Sequence, residues 1–322
     1  MRAVRMVAAL ALSGVAAACE LTESTAASGD DLVVVEALVK LGGPDFWSEP
    51  DIGEGAISSI NDVRVMLHRT IEGDLGRNQP VPGARVELRL PDGTVLRLPE
   101  IDVDFCRQSA PVEGTGSCYF ASSIDADERL AAPLRNLRGG MRLDLSIETV
   151  GGERLSSTSR IPGDFELVGV ASGSTVDHAA NTLLDLNWTV SEGTWSYVAE
   201  AEISGLRAAL AAEGITVEDD PLFLIGLAIS AADTTIVFPS EFGVFDRFDL
   251  DRDLSVRLQQ GLPAATESRI SVAAVDRNYV NWIRGGNFNP SGQVRVPSVQ
   301  GDGTGFFGTS VVRWFDLSTG GL

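Results

Sequence analysis

The sequence predicts an all-β chain folded as two antiparallel β-sandwich domains, and three observations carry that expectation. Apolar residues recur mainly with period two, as they do in strands that turn one face inward. Clusters of glycine, proline and aspartate interrupt these stretches at short intervals. Of the 322 residues, those after the first thirty are enough for two hydrophobic cores, with Pro162, Gly163 and Asp164 as the natural boundary.

The first domain, 32–162, begins with Leu32 to Lys40, so apolar that it reads as a strand buried on both faces. From Asp62 to Arg69, Val63, Val65 and Leu67 share one face, while Arg64, Met66 and His68 share the other. Ala84 to Leu90 alternates more cleanly. Pro91, Asp92 and Gly93 turn the chain, and Thr94 to Leu98 returns as the second arm of a hairpin. Met141, Leu143, Leu145 and Ile147 face inward on the next strand, and Gly151 and Gly152 lead into the return strand Glu153 to Ile161. Such strands predict an immunoglobulin-like or transthyretin-like sandwich.

The second domain, 163–322, opens with an expected hairpin in which Leu184, Leu186 and Trp188 oppose Trp195, Tyr197 and Ala199 across a turn at Ser191, Glu192 and Gly193. A tryptophan facing a tyrosine-bearing strand is similar to a fibronectin type III core. Gly205 to Glu213 predicts a short helix capped by Ser204 and stopped by Gly214. Strands are expected at Leu222 to Ile229, Arg269 to Val275 and Ser310 to Phe315. Asp276 caps another helix whose Tyr279, Trp282 and Ile283 fall at i, i+3 and i+4 before Gly285 and Gly286.

The N-terminus reads as a secretory signal over 1–18. Arg2 and Arg5 precede an apolar run from Met6 to Val15, and Ala16, Ala17 and Ala18 lead to Cys19. That run is too short to span a bilayer core of about 30 Å. An ordinary signal cut after Ala18 accounts for these residues; so does a lipobox, in which Cys19 is acylated and becomes the new N-terminus. Cysteine arithmetic favours the lipobox, because three cysteines in an oxidising compartment leave one over, and lipid on Cys19 frees Cys106 and Cys118 to pair. Glu20 is similar to the residues that allow sorting to the outer membrane. Residues 19–31 are small and polar, as a flexible tether would be.

Net charge is −20 for the whole chain, and losing Arg2 and Arg5 with the signal leaves about −22. This argues against nucleic acid as a partner and against electrostatic docking on anionic lipid. Lys40 is the sole lysine.

Cys106 and Cys118 bracket a polar, glycine-bearing stretch suited to a disulfide-closed loop, and no histidine or second cysteine pair nearby completes a zinc site. Asp249, Asp251 and Asp253 open like a calcium loop, but Leu254 and Gln260 stand where glycine and glutamate are required. Leu250, Leu254, Val256 and Leu258 instead suggest a strand face. Gly303, Gly305 and Gly308 fit G-x-G-x-x-G without the βαβ setting of a dinucleotide site, so a glycine-rich loop packing Phe306 and Phe307 is expected. His68 and His178, the only histidines, make no nucleophile elbow with a serine, and both read as structural. No catalytic, metal or cofactor residue is assigned. Phe46 and Trp47, flanked by acids, are the candidate partner-binding loop, with an end-plug of the sandwich as the alternative; the loop from Asn287 to Gly292 is of the same kind.

The order of these features resembles the domain of unknown function 4249, a family of Gram-negative envelope lipoproteins. The resemblance lies in the lipobox, Val33 to Glu36, Pro82 to Val86, the hairpin opening Gly139, Gly140 and Met141 and ending at Ile161 and Pro162, and the Tyr279 helix before a glycine-rich segment. That segment, Gly301 to Gly308, is looser than the family's own. The resemblance implies a lipid-anchored protein accompanying a TonB-dependent outer-membrane receptor. A non-enzymatic binding or accessory module is therefore expected, with an adhesive surface lipoprotein, and behind it a hydrolase using unassigned carboxylates, as alternatives.

Overall fold

The computed structural model describes residues 31–44, 59–70, 79–107, 116–228, 230–243, 252–284 and 296–320. Cys19, Phe46, Trp47, Asp249, Leu250, Asp251 and the 287–292 loop lie outside these residues.

The chain is mostly β. Its first half runs β1 (Val33–Pro44), β2 (Ser59–Arg69), β3 (Arg85–Arg89), β4 (Val95–Leu98), β5 (Glu100–Ile101), α1 (Asp104–Arg107), β6 (Ser117–Ser122), α2 (Glu128–Arg135), β7 (Arg142–Glu148) and β8 (Arg154–Arg160). There follow β9 (Thr175–Asp177), β10 (Leu184–Asn187), β11 (Ser196–Ser204), α3 (Leu206–Leu210), β12 (Leu222–Ala228) and β13 (Thr235–Phe238). The last elements are α4 (Arg252–Leu258), β14 (Thr266–Val275), α5 (Arg277–Arg284), β15 (Gln300–Gly301) and β16 (Gly303–Thr319).

Among the described residues, nine strands form one sheet in the order β12-β11-β14-β16-β1-β2-β6-β5, with β9 added to β16. Five form a second, β15-β8-β7-β3-β4, and β10 pairs with β13. β16 is the spine. One edge pairs antiparallel with β14, while the other pairs parallel with β1 and then, from Asp316 to Ser318, with β9. The expected division into separate sandwiches at 162/163 differs from this pairing, since strands from both sides of the boundary share the large sheet. Period two shows which face a residue takes but not which strand lies beside it.

Alternation along the large sheet separates two faces. Val33, Val35, Ala37 and Val39 of β1, Val63, Val65 and Leu67 of β2, and Phe307, Val311 and Phe315 of β16 join the inner residues of the five-stranded sheet, including Val86, Leu88, Leu143, Leu145 and Ile147, in one core. On the opposite face α5 lays Tyr279 and Trp282 on Phe306, Val34 and Leu38, and the Trp282 and Phe306 rings stack at 4.9 Å. Farther along that face Cys106, Cys118, Met66 and Phe120 form a third cluster.

Four local expectations change. Phe306 and Phe307 lie in a strand, not a loop, one buried on each face. Gly305 is required there because a Cβ would sit 2.0 Å from the Val35 carbonyl oxygen. The 252–258 segment is helical, with Leu254 and Leu258 buried at i and i+4 and Val256 56% exposed. Its spacing suits a helix as well as a strand, and core contacts decide. β10 and β11 form no hairpin: β10 pairs with β13 and β11 with β12 and β14. Trp188 and Tyr197 still meet, with ring centroids 5.2 Å apart, but Trp195 is 50% exposed beneath Arg277. Finally, Ser204 does not cap α3; the Asp220 carboxylate accepts from the Gly205 and Arg207 amides instead, while Gly214 ends the following 3-10 turn as expected.

Candidate functional site

The second face of the large sheet is where the structure gathers its unusual chemistry. Opposite the valines of the core, β1 directs Glu36 and Lys40, and β2 directs Asp62, Arg64 and His68. Arg64 grips Asp62 through Nε at 3.0 Å and Nη2 at 3.3 Å, both residues are about 2% exposed, and the guanidinium stands 5.7 Å from the Phe120 ring centre. Arg269 of β14 does the same with Asp316 of β16, at 2.9 and 3.4 Å, beside Trp314. Fork-shaped pairs of this kind satisfy charges that burial would otherwise make costly.

The first of these pairs borders a cleft lined by Lys40, Asp62, Arg64, Glu200, Ser271, Tyr279 and Ser310. Its cavity volume is about 30 Å³, room for one or two waters. Lys40 forms no ion pair among the described residues. Ser310 is 2% exposed and its hydroxyl has no partner, so a water or a small ligand's polar group would satisfy it. Burial, with Glu200 and Asp276 nearby, pushes the Tyr279 phenol well above its usual value, keeping it a neutral donor. The arrangement offers donors and acceptors for binding; no nucleophile in it is paired with a histidine. His68 is buried elsewhere on this face, its Nδ1 3.0 Å from the Arg69 carbonyl, and burial lowers its pKa. His178 sits near Thr182, with Nε2 2.9 Å from the hydroxyl.

No family model matches the chain, and no curated protein matches it in sequence.

Cys106 and Cys118 are joined as a disulfide with Cα atoms 5.7 Å apart, tying α1 to β6. Of the residues lining the cleft, sequence reasoning noted Lys40 only as the single lysine and passed over Glu200, Ser271 and Ser310. The available signal was Glu36 and Lys40 at i and i+4 with Asp62 and Arg64 at i and i+2, which mark one face of two adjacent strands as polar.

Proposed function

We propose that this chain is a lipid-anchored protein of the cell envelope, held at the outer membrane through Cys19. It acts as a non-catalytic binding or accessory module beside a TonB-dependent transporter. The observation that carries the reading is the Cys106–Cys118 disulfide. A disulfide fits a chain that folds in an oxidising compartment, and it leaves Cys19 as the odd cysteine behind a signal-like segment. The resemblance to the family of domain of unknown function 4249 supports the transporter as partner. The polar cleft beside Lys40 supports binding over chemistry, since Asp62 and Arg64 there hold each other in an ion pair while the Ser310 hydroxyl is left to meet a ligand's polar group.

The test is chemical crosslinking in native membranes followed by purification through a tag at the C-terminus. A TonB-dependent receptor recovered at near-equal amount supports the accessory role. Recovery of the protein alone, from intact cells and under the same crosslinking, removes it.

A further inference from the structure

The acidity of the chain is not spread evenly. The outward face of the five-stranded sheet carries Arg85, Arg89, Arg97, Arg142, Arg154 and Arg160 against Glu87, Asp144 and Glu148, a formal +3 on a chain of net charge −20. Asp92, Glu153, Asp302 and Arg138 stand in the bordering turns. Glu148 is shared by Arg85 and Arg154, at 2.5 and 3.3 Å, and Arg142 is held by Asp144. Arg89, Arg97 and Arg160 form no ion pair among the described residues. Arg85, Arg154, Ser146, Ser156 and the Glu148 that the two arginines share line a cup of about 300 Å³ on this face.

The chain enters the fold at the same end. Asp31, where the described residues begin, is held by Arg69 at 3.4 Å, and Arg69 reaches on to Glu153 at 2.7 Å, next to Arg154. Val150, at the tip of the adjoining β7–β8 turn, is 81% exposed. Thirty residues precede Asp31, with Cys19 twelve positions before it.

We infer that this arginine face lies on the phosphate headgroups of the membrane that holds the Cys19 lipid. The inference rests on the proposed anchor. Free in solution, so acidic a protein is repelled by an anionic surface. Tethered by a dozen residues, it is confined close to that surface at high effective concentration, and the face of opposite sign turns toward it. Arginine's planar fork matches phosphate oxygens, and the Arg85–Arg154 cup is wide enough for a headgroup phosphate. The second face of the large sheet, with the Lys40 cleft, is then turned away from the lipid and left open to a partner.

The experiment uses the full acylated protein in vesicles of phosphatidylcholine, alone or mixed with phosphatidylglycerol, with a fluorophore at Val95→Cys or at Phe223→Cys and a headgroup-borne quencher. Val95 is exposed on the arginine face beside Arg89 and Arg97 and outside the cup; Phe223 is exposed on the opposite side of the molecule. Strong quenching is expected at Val95 only, in the phosphatidylglycerol vesicles. It is lost when salt rises from about 0.01 to about 1 M, which shortens the screening length from about 30 to about 3 Å. It is also lost in the triple variant Arg89→Glu, Arg97→Glu, Arg160→Glu. Equal quenching at the two positions, or quenching that ignores salt and headgroup charge, overturns the inference while leaving the anchor intact. Quenching that follows protein density and not lipid charge places a second copy on the face, and overturns it too. Failure of the protein to float with any vesicle overturns the anchor itself, and the inference with it.

Discussion

Asp276 accepts a 2.7 Å hydrogen bond from the hydroxyl of Ser159, and that contact joins the link between β14 and α5 to β8 of the small sheet. The same carboxylate accepts from the Tyr279 amide at 3.0 Å, where it starts α5, and from the Thr309 amide at 3.2 Å on β16. One side chain thus fixes the helix that lines the cleft to both sheets.

Burial pushes the Asp276 carboxyl up to about 6, against the donors from Ser159, Tyr279 and Thr309 that pull it down. A group with a raised folded pKa binds its proton more tightly in the fold than in the unfolded chain. Its stabilisation is complete below the unfolded value of 3.8 and is lost as pH rises through about 6. At about 1.4 kcal/mol per unit the effect is at most about 3 kcal/mol. Urea denaturation is expected to show this loss between those pH values in the wild type and not in Asp276→Asn. The same loss in both proteins would assign it to other groups.

Gly305→Ala places a methyl against the Val35 carbonyl at a backbone φ of +118°, and only separation of β16 from β1 relieves the contact. Gly93, at φ +87° in the β3–β4 turn, has open space around it. Gly93→Ala is expected to cost about 1 kcal/mol and Gly305→Ala at least about twice that, read from denaturant midpoints. Equal costs would mean that the parallel pairing is not tight at that point.

The disulfide closes a loop of twelve residues, so replacing both cysteines by alanine is expected to cost about 3 kcal/mol in the chain-entropy picture. Reductant should lower the thermal midpoint of the wild type and leave the double variant unchanged. A wild type indifferent to reductant would show that the thiols are not paired.

What the sequence made legible follows from what periodicity encodes. The faces of β1 and β2, the β3–β4 and β7–β8 hairpins and the α5 stripe of Tyr279 and Trp282 all depend on local spacing and on turns such as Pro91, Asp92 and Gly93. The pairing of β1 with β16 joins Val33 to Gly303 across nearly the whole chain, and nothing near either residue announces the other. Trp195 misled because it keeps the alternation of Tyr197 and Ala199 yet stands one residue before β11 begins, where its side chain is half exposed. The cleft escaped notice for a related reason: Lys40, Glu200 and Ser310 come from three strands, and each alone reads as an ordinary polar position.

Membrane anchorage through Cys19 is the claim on which the proposed role and the orientation both depend, and growth on radiolabelled fatty acid tests it directly. Wild-type protein is expected to carry label and to sediment with the outer membrane, whereas Cys19→Ser is expected to carry none and to leave that fraction while still being exported. Label and membrane retention unchanged in Cys19→Ser would contradict the anchor.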